Sequence, residues 1–138
     1  MLLVDTSVWI EVFKKDSRVK LEAVAPLEEI ILCLPVFQEV LQGFRDEHAF
    51  RTARQALSAF PMVESPLSLE VFEEAAQLYR RARRSGLTVR SSVDCLIAAC
   101  AIRHALTVLH DDRDFSLLAQ VSSLQERKLS KKLPNLEG

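Results

Sequence analysis

Short runs of consecutive apolar residues alternate along this chain with longer stretches in which apolar positions recur every third or fourth residue. The runs are LLV at 2–4, EIILCL at 29–34 and TVL at 107–109. Runs this short, bounded by capping or turn residues, predict buried strands. The longer stretches predict amphipathic helices over 7–13, 46–60, 68–85 and 93–104, with a shorter one over 114–119. Thr6 or Ser7 can cap the first of these, and Ser91 or Ser92 the helix at 93. Pro35 suits the first turn of a further helix, with Gly43 near its end, and Gly86 closes the helix that ends at 85. Helical spacing also runs over 19–27, and 61–65 predicts one more short strand.

Strands that alternate with helices imply an α/β fold: a three-layer α/β/α sandwich on a short, mostly parallel sheet. The predicted elements fill residues 1–120 as a single domain. From 121 to 138 the periodicity fades into a basic tail, to which no element is assigned. With 138 residues, 49% hydrophobic and 27% charged, the chain has the balance of a folded globular protein and not of a disordered one. Its net charge of −1 selects no partner. Local charge is more telling, because Arg80, Arg81, Arg83, Arg84 and Arg90 crowd one segment that carries no acid. Cys33, Cys95 and Cys100 follow neither a disulfide framework nor zinc-ligand spacing, and read as buried thiols in a reducing compartment. MLLVDTSVWI lacks the pattern of a secretory leader, and no run approaches the ~20 apolar residues that span a bilayer. A cytoplasmic protein with no membrane partner is expected.

The candidate chemistry lies in the acids. Asp5 and Asp112 each follow a predicted strand, Asp94 sits in the first turn of the helix at 93, and Glu39 lies about one turn into the helix after the second strand. In open α/β sheets, ligands bind beyond the carboxyl ends of the strands, so all of these acids are expected at one crevice. Clustered carboxylates repel and raise one another's pKa unless a cation joins them. Oxygen donors without cysteine, and with few histidines, favour Mg²⁺ or Mn²⁺ over Zn²⁺. Such ions promote in-line displacement at phosphorus, and metal-dependent phosphodiester hydrolysis follows as the expected reaction.

LLVDTSVWI, LPVFQEVLQGFR and TVRSSVDCLIAACAIRHALTVLHDDRDF, in this order and at these separations, resemble the PIN-domain nucleases. More closely, they resemble the VapC-type toxins of bacterial toxin–antitoxin pairs. The resemblance spans nearly the whole chain and implies a PIN-like fold with a Mg²⁺- or Mn²⁺-dependent endoribonuclease activity. It also implies a homodimer silenced by a cognate antitoxin within a larger toxin–antitoxin complex. Asp5, Glu39 and Asp94 match the family's principal acids, Asp112 a fourth and Asp114 a further one. Of these, Asp5, Asp94 and Asp112 are the expected metal ligands. Thr6 or Ser7 matches a hydroxyl that supports the first acid or a metal-bound water. The C-terminus departs from the pattern, since such chains often finish with a short strand and SSLQERKLSKKLPNLEG shows no clear one.

Each site residue has a plainer alternative. Asp5 and Asp94 can serve as helix caps, and Asp111 reads as surface. Arg90, beside the helix of Asp94, is the expected RNA contact, because neutralising phosphate supplies sequence-independent affinity. The other arginines suit a charged helix face paired with Glu70, Glu73 and Glu74. His110 reads as a hydrogen-bonded strand residue and Trp9 as core. Two other functions compete: a PIN-like scaffold that binds RNA or protein without cutting, and a phosphotransfer domain with a phosphorylated Asp. The second is disfavoured because VDTS lacks a second Asp.

Overall fold

The structure is a computed structural model that describes residues 1–130. Strands β1 (Leu2–Val4), β2 (Ile30–Cys33), β3 (Met62–Val63), β4 (Thr107–His110) and β5 (Gln125–Lys128) form one parallel sheet in the order β3-β2-β1-β4-β5. Helices α1 (Thr6–Phe13) and α2 (Leu21–Val24) join β1 to β2, and α3 (Leu34–Gln42) and α4 (Glu47–Leu57) join β2 to β3. The return from β3 to β4 carries α5 (Leu69–Arg84) and α6 (Ser92–Arg103), and α7 (Arg113–Gln120) leads to β5. The chain therefore steps outward in one direction from β1 and then in the other from β4. Right-handed crossovers place the helices of these two halves on opposite faces of the sheet. The reversal falls between β1 and β4, whose carboxyl ends form the crevice of such a sheet.

The three central strands are buried along nearly their whole length, which is why their sequences are apolar runs and not alternations. Helix α6 is apolar almost all round, and Ile97, Ala98, Ala99, Cys100 and Ala101 are fully buried in it. Its run of small residues lets α5 pack closely along it. Trp9 is core, as expected: it is 2% exposed, its indole N–H donates to the Val4 carbonyl at 3.1 Å, and its ring meets those of Phe13 and Phe60.

Several boundaries differ from the sequence reading. The helical spacing over 19–27 yields only the four residues of α2, because Pro26 cannot supply an amide to continue it. Asp5, and not Thr6 or Ser7, caps α1, since its carboxylate accepts from the Ser7 amide at 3.1 Å. The largest departure is β5, within the segment assigned no element. QERK pairs in parallel with β4 through backbone bonds, at the sheet edge where side chains face water and leave no apolar pattern. The remainder of the predicted tail, 131–138, lies outside the described residues.

Candidate metal centre

Asp5, Glu39 and Asp94 each offer a carboxylate oxygen within 4.8 Å of the others, and so do Asp94, Asp112 and Asp114. The two groups share Asp94. Every acid expected at the site is thus brought to the crevice between the ends of β1 and β4.

Each arrives by a local rule of folding. The Asp5 amide donates to the Leu109 carbonyl at 2.9 Å, extending the β1–β4 ladder by one residue. Its Oδ2 accepts from the Ser7 amide at 3.1 Å and from the Ser7 hydroxyl at 2.6 Å. That hydroxyl also accepts from the Asp111 amide at 2.9 Å, which ties the loop after β4 to the loop after β1. Glu39, half-buried on α3, accepts from the Thr6 hydroxyl at 2.8 Å. The two hydroxyls expected to share one role therefore have separate ones. Asp94 stands in the first turn of α6, where the Ser91 hydroxyl caps its amide at 3.4 Å and the helix dipole favours an anion.

At the far side of the site, Asp112 caps α7 and accepts from the Asp114 amide at 2.9 Å. Asp114 is 1% exposed, and its Oδ2 accepts from the backbone amides of Arg90 at 3.0 Å and Ser91 at 3.1 Å. The Arg90 side chain itself is exposed at the rim. It lines a groove of about 600 Å³ with Arg80, Tyr79, Phe72 and Cys95, the neighbour of Asp94. Among the described residues none of the five clustered arginines pairs with a carboxylate. Of the expected partners Glu70, Glu73 and Glu74, the last binds Arg103 instead, at 2.9 Å.

Sequence reasoning missed the support beneath this second group. His110 is fully buried, its Nδ1 accepts from the Asp112 amide at 3.2 Å, and its Nε2 lies 2.7 Å from a Glu126 oxygen on β5. The Ser116 hydroxyl donates to the same oxygen at 3.0 Å. His110, then Ser116, hold the Glu126 carboxyl below its usual range. Leu124 and Leu129, both buried, bracket β5 and are the one sequence signal that could have marked it.

The electrostatics call for a cation. Among the described residues, the buried side-chain oxygens without a hydrogen-bond partner are Asp5 Oδ1, Asp94 Oδ2 and Asp114 Oδ1. Buried polar atoms are rarely left so. Burial raises the Asp5 carboxyl above its ordinary value, against the bonds from Ser7 that lower it. Asp94 is pushed up to about 9, first by burial and then by the charges of Asp5 and Asp112. Its neighbours are acids, and no basic side chain is paired with any member of the cluster among the described residues. Oxygen donors, unpartnered and mutually repelling, fit a hard divalent ion.

Comparison with known proteins shows the family and the fold. The PIN domain family model matches residues 2–121, and the chain belongs to that family. Within it, the chain is 39% identical over 130 residues to Ribonuclease VapC11 of Mycobacterium tuberculosis (strain ATCC 25618 / H37Rv), covering 91% of this chain and 96% of the relative. It is 32% identical over 120 residues to Ribonuclease VapC51 of the same strain, covering 87% and 86%. Among solved structures, it shares its fold with a chain in the crystal structure of VapBC2 from Rickettsia felis bound to a DNA fragment from their promoter. The TM-score there is 0.76 at 15% identity, with 94% of this chain and 98% of that one covered.

Proposed function

We propose that this chain is a Mg²⁺- or Mn²⁺-dependent endoribonuclease of the VapC kind, acting in the cytoplasm and held in check by a cognate antitoxin. The observation that carries the reading is the set of three unpartnered buried carboxylate oxygens at the β1–β4 crevice, from Asp5, Asp94 and Asp114. Support comes from relatives named as ribonucleases at 39% and 32% identity over most of the chain, and from a fold shared with a member of the VapBC family of toxin-antitoxin systems. Asp5, Asp94 and Asp112 would hold the ion, with Asp114 and Glu39 completing the acidic shell. When bound, such an ion supplies a nucleophilic water at neutral pH and offsets charge at the phosphoryl oxygens.

The remaining work falls to the chain's own side chains. Ser7 fixes the orientation of Asp5, and Thr6 that of Glu39. Glu39, half-buried on α3 and grouped with Asp5 and Asp94, would complete the acidic shell on that side of the crevice. Arg90, at the rim beside Asp114, receives RNA phosphate. Homodimer formation and docking of the antitoxin belong to the same reading. The retained acids favour a cutting enzyme over a scaffold that only binds RNA or protein. The test is cleavage of RNA by antitoxin-free protein in Mg²⁺ or Mn²⁺, with and without Asp94→Asn. Loss of cleavage by about 10³-fold or more is expected for an interaction worth several kcal/mol. Undiminished cutting by a folded Asp94→Asn protein would refute the assignment.

A further inference from the structure

We infer that Glu126, on the edge strand β5, is a positioning residue for the acidic centre and acts on the Asp112–Asp114 turn through His110. The inference rests on the metal-centre reading above and concerns how that centre is held. Three hydrogen bonds carry it. The Asp112 amide donates to His110 Nδ1 at 3.2 Å, so that nitrogen presents a lone pair and the ring proton sits on Nε2. Nε2 faces a Glu126 oxygen at 2.7 Å, an acceptor that suits this tautomer alone. The Ser116 hydroxyl, from α7 itself, donates to the same Glu126 oxygen at 3.0 Å and fixes the carboxylate from the other side.

The His110 ring is enclosed, and Glu126 reaches it from the partly exposed sheet edge. His110 is fully buried and lies tilted against Phe115, 5.2 Å between ring centroids. Its carbonyl accepts from the Leu129 amide, just beyond β5, at 2.6 Å. With backbone and ring both tied to the edge strand, the ring has one orientation, and the Asp112 amide has one place to go. Asp112 in turn holds the Asp114 amide at 2.9 Å, so the bond network runs from β5 to both acids. Outer partners of this kind set the orientation of ligating groups, and their loss typically weakens metal affinity or activity by about 10–100-fold.

The test compares wild type, Glu126→Ala and Glu126→Gln by three measurements. The first is the ¹⁵N–¹H spectrum of the metal-free protein, read at the His110 ring nitrogens and the Asp112 and Asp114 amides. Glu126→Ala is expected to lose the single Nε2–H tautomer and to shift both amides. Glu126→Gln, whose amide oxygen can still accept, is expected to restore them. The second and third are the Mn²⁺ dissociation constant by calorimetry and kcat on RNA, each expected to worsen by roughly 10-fold or more in the alanine variant. A folded Glu126→Ala protein with unmoved amides, or with lowered Tm but wild-type Mn²⁺ affinity, overturns the inference. Should that variant fail to fold, Ser116→Ala is expected to shift the same amides to a smaller extent, and no shift overturns it equally. A wild type that neither binds Mn²⁺ nor cuts RNA counts against the proposed function, while the metal-free spectra still decide the role of Glu126.

Discussion

Asp5 and Glu39 are oriented by hydroxyls three residues or fewer from the first acid, at Ser7 and Thr6. Asp112 and Asp114, across the same crevice, are oriented by backbone amides and by a histidine anchored on the last described strand. Between them stands Asp94, a member of both groups. The contrast shows two ways of holding an acid against its neighbours. In the first half the support is written into the motif itself, in VDTS, and a single substitution can remove it. In the second half, the amides of Arg90, Ser91 and Asp114 belong to the backbone, so side-chain changes at those positions leave the bonds in place. The side-chain support that can be removed there sits far away in sequence.

The comparison breaks most readily at Ser7. Its hydroxyl bonds both the Asp5 carboxylate and the Asp111 amide, so it ties the loop after β4 to the loop after β1. Ser7→Ala is expected to lower kcat by about 10–100-fold. Thr6→Val, which frees only Glu39, is expected to cost less, roughly 10-fold at most. Steady-state kinetics on one RNA substrate compares the two, and a Thr6→Val effect larger than that of Ser7→Ala would contradict this division of labour.

A smaller effect concerns stability. Asp94 has a folded-state pKa of about 9, far above the ~3.9 of an unfolded aspartate. Between those values the metal-free folded state holds the extra proton, so the contribution of Asp94 to stability is full below about pH 4 and declines as pH rises toward 9. Asp94→Asn removes that dependence and is expected to stabilise the metal-free protein relative to wild type by an amount that grows from pH 5 to pH 8, by up to ~1.4 kcal/mol per pH unit. Thermal melts from pH 5 to pH 9 in chelator check it. A wild-type Tm that rises across this window, parallel to that of the variant, would show that Asp94 is not held protonated.

These halves also differ in how much their sequences disclose. VDTS follows an apolar run and opens a helix, so both the strand and the acid at its end were legible. Asp94 was legible for the same reason, in the first turn of a helix whose apolar residues mark it plainly. The pairing of hydroxyls with acids was not, because only the fold brings α3 beside α1 and gives Thr6 to Glu39. The edge strand left only its apolar flanks, Leu124 and Leu129, as a sign in the sequence. QERK buries no face against the core, and what makes it a strand is the row of backbone bonds offered by β4. With β5 unseen, the role of Glu126 could not be read, and His110 was recognisable only as a strand residue with a hydrogen bond. The different holds on Asp112 and Asp114 are likewise a matter of three dimensions: both belong to the same group with Asp94, but Asp112 accepts one amide and Asp114 two.

Under the proposed function, the two separately supported groups of acids would share one cation through Asp94. Titration of the metal-free protein with Mn²⁺, followed by calorimetry for wild type and Asp94→Asn at the same pH, tests it directly. Saturable binding by the wild type, abolished or weakened by more than about 100-fold in the variant, is the predicted result for loss of a shared ligand. Equal affinity in the two proteins would contradict the account.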